Sequence, residues 1–88
     1  MRIKEGFILR KMLGENIVVG EGLAQVDFNK IVSMNGTAAY LWEAVGSSEF
    51  TADTLKELLL KEYDVDEETA AKDAAAIAEK WIEIGIVE

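Results

Sequence analysis

The side chains that could carry chemistry in this sequence are few, and the densest group of them is acidic. Asp64, Asp66, Glu67 and Glu68 lie close together along the chain. Clustered carboxylates can bind Ca²⁺, but an EF-hand loop also needs a glycine at its sixth position and regularly spaced oxygen ligands, and this segment has neither. We therefore interpret the cluster as the start of a helix, where acidic side chains favour the positive end of the helix dipole.

The other groups needed for catalysis are missing. Histidine and cysteine are absent, which removes imidazole acid–base chemistry, thiolate nucleophiles and the usual ligands of zinc and iron–sulfur clusters. Ser33 has no histidine or motif glycines beside it, and no glycine-rich run followed by Lys-Ser/Thr forms a phosphate cradle. Trp42 and Trp81 fall on apolar helix faces, which is more typical of core residues than of ligand platforms. The sequence predicts a binding protein that is not an enzyme and has no metal site and no cofactor.

Charge is unevenly distributed along the chain, whose formal net charge is −8. Residues 1–32 hold five bases and four acids, whereas residues 43–88 hold thirteen acids and four lysines. The acidic half repels a phosphate backbone, so we expect no nucleic-acid partner. The longest apolar run is far short of the roughly 20 residues that span a bilayer. Charged residues also interrupt the N-terminal apolar stretch, so we expect no secretory signal, no membrane association and a cytoplasmic location.

The first third of the chain predicts β-strands. The length of 88 residues is that of one small domain, which we place over residues 1–88. Apolar runs over Phe7–Leu13 and Asn16–Val19 predict a hairpin around Gly14 and Glu15, with a type II′ turn because glycine would occupy the first central position. A third short strand is predicted over Phe28–Met34.

The remainder of the chain predicts three helices. The first covers residues 36–45, with Asn35 as its N-cap and Gly46 just past its end. The second begins after Thr51, and the third begins after Asp66 and ends at Gly85, each with a side chain that can cap the first turn. The sequence therefore predicts an α+β fold in which a three-stranded sheet precedes three helices.

The predicted third helix is unusually rich in alanine on its inner face, at Ala70, Ala74 and Ala78 among others. One interpretation is close packing against a neighbouring helix, combined with the high helix propensity of alanine. The other is a shallow apolar trough that a ligand fills. The residues alone leave both interpretations open.

Several segments in order resemble one protein family. They are the stretch DFNKIVSMNGTAAYLWEAV, the run TADTLKELLLKEYDVDEETA and the closing WIEIGIVE. This arrangement, over about Gly6 to Val87, resembles the PqqD family of pyrroloquinoline quinone (PQQ) biosynthesis and the related precursor-peptide recognition elements. The chain departs from its relatives at Ala74 and Ala78, where they often carry bulkier residues.

The resemblance implies a winged-helix-like fold, with a three-stranded antiparallel sheet against three helices. It also implies a non-catalytic chaperone that binds the leader of a ribosomally made precursor peptide as an added strand and presents it to a modifying enzyme, often a radical SAM protein. Main-chain groups of a strand edge would supply affinity, and side-chain pockets would select among leader sequences. By this resemblance the leader would contact Lys30, Ile31, Val32, Ser33, Met34, Asp73, Ala74, Ile77, Lys80 and Trp81.

Two other functions fit the same elements. A structural subunit that binds a folded protein would expose an apolar patch rather than a free strand edge. A winged-helix DNA-binding domain would need a basic recognition helix, whereas the third helix here has Lys72 and Lys80 against several acids. An exposed strand edge can also pair between copies, so a homodimer is possible.

Overall fold

A computed structural model of the chain describes residues 1–20 and 31–88. Within them the fold is α+β, as predicted: a three-stranded antiparallel sheet precedes three helices. The predicted residues Phe28 to Lys30 lie outside the described residues. The strands are β1 (Phe7–Met12), β2 (Glu15–Gly20) and β3 (Ile31–Met34), and the helices are α1 (Gly36–Val45), α2 (Ala52–Glu62) and α3 (Glu67–Ile84).

The hairpin turn lies one residue earlier than predicted. Met12 pairs with Glu15, so the turn residues are Leu13 and Gly14 instead of Gly14 and Glu15. Both have positive φ, 53° and 81°, which is the requirement of a type I′ turn and not of type II′. The predicted turn was wrong because tertiary packing sets the register.

The observed register places apolar side chains opposite one another on the inner face of the sheet. Leu9 pairs with Val18, which in turn pairs with Val32, and Val18 is fully buried. The predicted turn would have shifted the pairing by two residues and placed Lys11 opposite Val18. Burying a lysine against the core is far more costly than the strain of a leucine at positive φ.

The order of strands in the sheet is β1-β2-β3, so β1 and β3 are its two edges. Paired residues of an antiparallel sheet point to the same face. The outer face therefore carries the row Ile8, Val19 and Ile31, and both Ile8 and Ile31 are exposed.

Each helix begins at the predicted cap. Asn35, Thr51 and Asp66 accept the backbone N–H of the residue three positions later, at 2.8, 3.3 and 2.8 Å. α3 ends at Gly85, which has left-handed geometry. Its N–H and that of Ile86 return to the carbonyls of Ile82 and Trp81, the two bonds of a Schellman motif, and Ile86 is fully buried.

The core lies between the helices and the inner face of the sheet. The Trp81 ring packs edge-to-face against Trp42 and Phe50, with centroids 5.5 and 6.0 Å apart. Both tryptophans are buried, which confirms their predicted role in the core. α3 lies along α2, and α1 contacts both β1 and β3.

The alanine face of α3 is part of this core. Ala70, Ala74 and Ala78 are buried in the same cluster as Leu55 and Leu59 of α2. Small side chains let two helix backbones approach closely, and this favours the helix-packing interpretation of these alanines.

The N-terminus of α3 is tied to α2 by charge. Lys56 Nζ donates to Glu67 Oε1 at 2.8 Å, and this contact lowers the pKa of Glu67 and raises that of Lys56. Hydrogen bonds from the Thr69 side chain and backbone lower the pKa of Asp66.

The turn geometry predicts a stabilising substitution. Leu13→Asn should raise stability by about 1 kcal/mol, because Asn occupies left-handed backbone at lower cost than Leu, and should raise Tm by about 4–8 °C. Leu13→Ala keeps the strain and serves as the control in the same thermal unfolding experiment. Equal Tm values for the two variants would contradict the turn assignment.

The cap of α3 predicts a dependence of stability on pH. The pKa of Asp66 is below its ordinary value of 3.8 in the folded chain, so its stabilising contribution is present above that value and lost as pH falls through the folded pKa. Asp66→Asn keeps a good cap but does not titrate. The urea concentration at the midpoint of unfolding should therefore fall less between neutral pH and acid in Asp66→Asn than in wild type. An equal fall in both would show that the Asp66 carboxylate does not cause the loss of stability in acid.

Candidate functional site

A groove lies between the free edge of β3 and α3. Its volume is about 120 Å³. It is lined by Val32, Ser33, Met34, Asn35, Ala38, Ile77, Lys80, Trp81 and Ile84.

The register determines which backbone groups of β3 face this groove. A two-residue hairpin loop closes on a hydrogen-bonded pair, and such pairs then alternate along the ladder. Met12 and Glu15 form the first such pair. Alternation along β2 then directs the backbone N–H and C=O of Val18 toward β3, where they bond Val32. The N–H and C=O of Ser33, and those of Ile31, therefore point away from β2 and toward the groove side.

The opposite wall is one stripe of α3. Ile77, Lys80 and Ile84 are three and four residues apart, which places them on one side of the helix. Trp81 lies beside them and is only 2% exposed. Its contacts with Trp42 and Phe50 hold it at the floor of the groove.

The structure brings together six of the ten residues predicted for the site. They are Val32, Ser33, Met34, Ile77, Lys80 and Trp81. Ile31 is on β3 and 63% exposed, but its side chain is on the outer face of the sheet. Lys30 lies outside the described residues.

Two predicted residues on α3 are not in the groove lining. Ala74 is 1% exposed, because it packs in the core with α2. Asp73 is exposed and lies four residues before Ile77, so it continues the same helix stripe one turn beyond the groove.

Sequence reasoning missed Asn35, Ala38 and Ile84. Ile84 could have been found by continuing the apolar stripe of α3 through its last turn, since it is seven residues after Ile77. Asn35 was predicted only as a helix cap. It reaches the groove because the cap directly follows β3.

The groove combines unpaired backbone donors and acceptors with apolar walls. Among its described lining residues, Lys80 is the only ionisable one. An acid–base pair or a metal site needs several such groups, whereas an extended peptide needs main-chain partners and apolar contacts. The arrangement is suited to binding a peptide.

Comparison with known proteins places the chain in a family. The family described as "Coenzyme PQQ synthesis protein D (PqqD)" matches residues 10–87, and the chain belongs to it. No curated protein sequence matches the chain significantly.

A solved structure shares the fold. "TbiB1 in Complex with the TbiA(beta) Leader Peptide" superposes with a TM-score of 0.73 over 100% of this chain and 95% of that chain, at 13% sequence identity. TbiB1 thus has the same fold as this chain.

Among residues 1–20 and 31–88, no helix has both the length and the apolar composition required to cross a bilayer.

Proposed function

We propose that this chain is a non-catalytic adaptor that binds the leader of a ribosomally made precursor peptide and presents it to a modifying enzyme of the radical SAM class. The leader adds to the sheet as a fourth strand along β3. The observation that carries this proposal is the free β3 edge facing an apolar stripe of α3 across one groove.

Addition of the leader as a strand allows the β3 edge both to bind a leader and to distinguish one leader sequence from another. In the part of β3 that the structure describes, Ile31–Met34, Ile31 and Ser33 are the residues that direct backbone groups outward, so this part offers few main-chain hydrogen bonds. Each contributes about 0.5–1.5 kcal/mol net. Much of the affinity must then come from leader side chains that pack against Ile77, Ile84 and Trp81, where fully burying one aliphatic side chain contributes about 1.5–3 kcal/mol.

Charge along α3 gives the bound leader a preferred direction. Lys80 is in the groove and Asp73 lies about two turns before it on the same stripe. An acidic leader residue is favoured beside Lys80 and a basic one beside Asp73. Ala74 has a supporting role here, since its small side chain sets how closely α3 approaches α2.

Two comparisons support the proposal. The chain belongs to the PqqD family, whose description refers to coenzyme PQQ synthesis. TbiB1, which has the same fold, was solved with a leader peptide bound.

A DNA-binding function is disfavoured by α3 itself, which carries more acids than lysines.

Ser33→Pro tests the strand-addition geometry. Proline removes a backbone donor that faces the groove, whereas Val32 bonds within the sheet and would be the wrong position. We expect Ser33→Pro to weaken binding about tenfold or more, or about 1.4 kcal/mol. The probes are synthetic leaders of the short reading frames encoded beside this chain, titrated against ¹⁵N-labelled protein by NMR.

Ser33→Ala is the matched control, because it removes the hydroxyl and keeps the N–H. It should bind within about twofold of wild type. Equal losses in both variants would attribute binding to the side chain and reject strand addition. If no such leader produces saturable shifts in the wild-type chain, the proposed function itself is rejected.

Ile77→Asp tests the α3 wall. A charge placed among apolar groups is costly to desolvate, so we expect leader affinity to fall about tenfold or more. Ala75→Asp adds the same charge to an exposed position of the same helix and should change affinity little. Circular dichroism verifies that both variants are folded, and an equal effect of the two would indicate a general response to negative charge.

A further inference from the structure

The outer face of the sheet carries an apolar row of side chains that ends at the free β3 edge. Ile8, Val19 and Ile31 are paired across the three strands, so their side chains are neighbours on that face. Ile8 is 42% exposed and Ile31 is 63% exposed. An outer face that meets water is usually polar in an antiparallel sheet. The most exposed member of this apolar row is thus also the one at the edge where the leader is proposed to add.

The charged side chains of the outer face lie in other rows. The row next to that of Ile31 consists of Arg10, Ile17 and Ser33, and both of its end members are exposed. Glu15 belongs to the row after that. Arg10 and Glu15 are the charged residues that β1, β2 and the described part of β3 place on this face. The Ile31 row is therefore apolar throughout, whereas the Ser33 row is polar at both ends.

The backbone of β3 determines which leader side chains meet these two rows. Ile31 and Ser33 both direct their N–H and C=O away from β2, so a leader added to β3 bonds at both residues. One leader side chain then lies beside each of them on the outer face, with the Cα atoms of an antiparallel hydrogen-bonded pair about 5.5 Å apart. The leader residue between these two points to the opposite face, into the groove. Reversing the leader changes the order of these residues but not the alternation of faces.

We propose that Ile31 is a specificity-determining residue for the leader, whose side chain packs against an apolar leader side chain on the outer face of the sheet. This inference rests on the function proposed for the β3 groove, and it adds to that function a sequence rule for the leader. The leader residues before and after the one beside Ile31 face the apolar groove. The core of the leader is therefore a run of consecutive apolar residues instead of an alternating one, and the outward position beside Ser33 accepts a polar residue.

The selectivity of Ile31 follows from the chemistry of neighbouring strands. Apolar side chains that are neighbours across two strands stabilise the pairing, because each removes the other from water. A charged leader residue at the same position would lose part of its hydration against Ile31 without gaining a partner. The main-chain hydrogen bonds of β3 are the same for every leader sequence, so this contact selects where they cannot.

Two alanine substitutions in the same row test the contact. The probe is a synthetic leader, from the short reading frames encoded beside this chain, that binds the wild-type chain. Ile31→Ala should weaken it about threefold or more. Ile8→Ala removes the same side chain from the same face, but Ile8 is three strand spacings, about 14 Å, from the leader and should change affinity less than about 1.5-fold. Ile31→Thr keeps the branched side chain and should also weaken binding if Ile31→Ala does not fold.

A charge swap tests specificity separately from stability. Nuclear Overhauser effects from the Ile31 δ-methyl group identify the leader residue beside it, and leaders with valine or aspartate at that position are compared. The wild-type chain should prefer valine, and Ile31→Lys should reduce this preference about tenfold or more, because the new ammonium group pairs with aspartate. Ile8→Lys adds the same charge at the far edge of the row and should leave the preference within about twofold.

The outcomes separate this inference from the proposed function. If a leader binds the wild-type chain but Ile31→Ala and Ile8→Ala have equal effects, or Ile31→Lys leaves the preference unchanged, the role of Ile31 is overturned and the proposed function stands. If no leader binds the wild-type chain, both are overturned. Sedimentation that shows a wild-type dimer lost in Ile31→Ala would overturn the role of Ile31 in favour of contact with a second copy.

Discussion

The packing of the Trp81 indole is the contact on which the rest of the structure depends. Its ring meets Trp42 of α1 and Phe50 before α2 nearly perpendicularly, at 83° and 84°, an arrangement that aromatic rings favour. Three helical segments are thereby joined at one point. With Trp81 directed into the core, Ile77 and Lys80 of the same helix line the groove beside β3, so the groove wall depends on the core packing.

A second constraint acts through the sheet. Packing around Val18 sets the register of β1 against β2 and of β2 against β3, and the type I′ turn at Leu13 and Gly14 follows from it. The alternation of hydrogen bonds then decides that Ser33, and not Val32, directs its backbone outward. The register selected by the core thus determines which backbone groups are directed outward at the β3 edge.

The alanines of α3 show how one residue type can satisfy two interpretations of a sequence. Alanine suits a close helix contact and an unfilled trough equally well, so the pattern at Ala70, Ala74 and Ala78 left both open. Their burial with Leu55 and Leu59 assigns them to the helix contact. The groove surface is instead formed by the larger side chains on the adjacent stripe of α3.

The sequence alone determined the features that depend on neighbouring residues. The caps at Asn35, Thr51 and Asp66 and the stop at Gly85 were predictable because each uses hydrogen bonds within about five residues. Most of the groove residues were instead predicted from the resemblance of the sequence to the PqqD family.

Only the tertiary structure decided the hairpin register, the burial of Ala74 and the entry of Ile84 into the groove. The register depends on which side chain lies opposite Val18, and a residue's place in core or groove depends on which helix packs beside it. These are contacts between distant parts of the chain, so no local pattern encodes them.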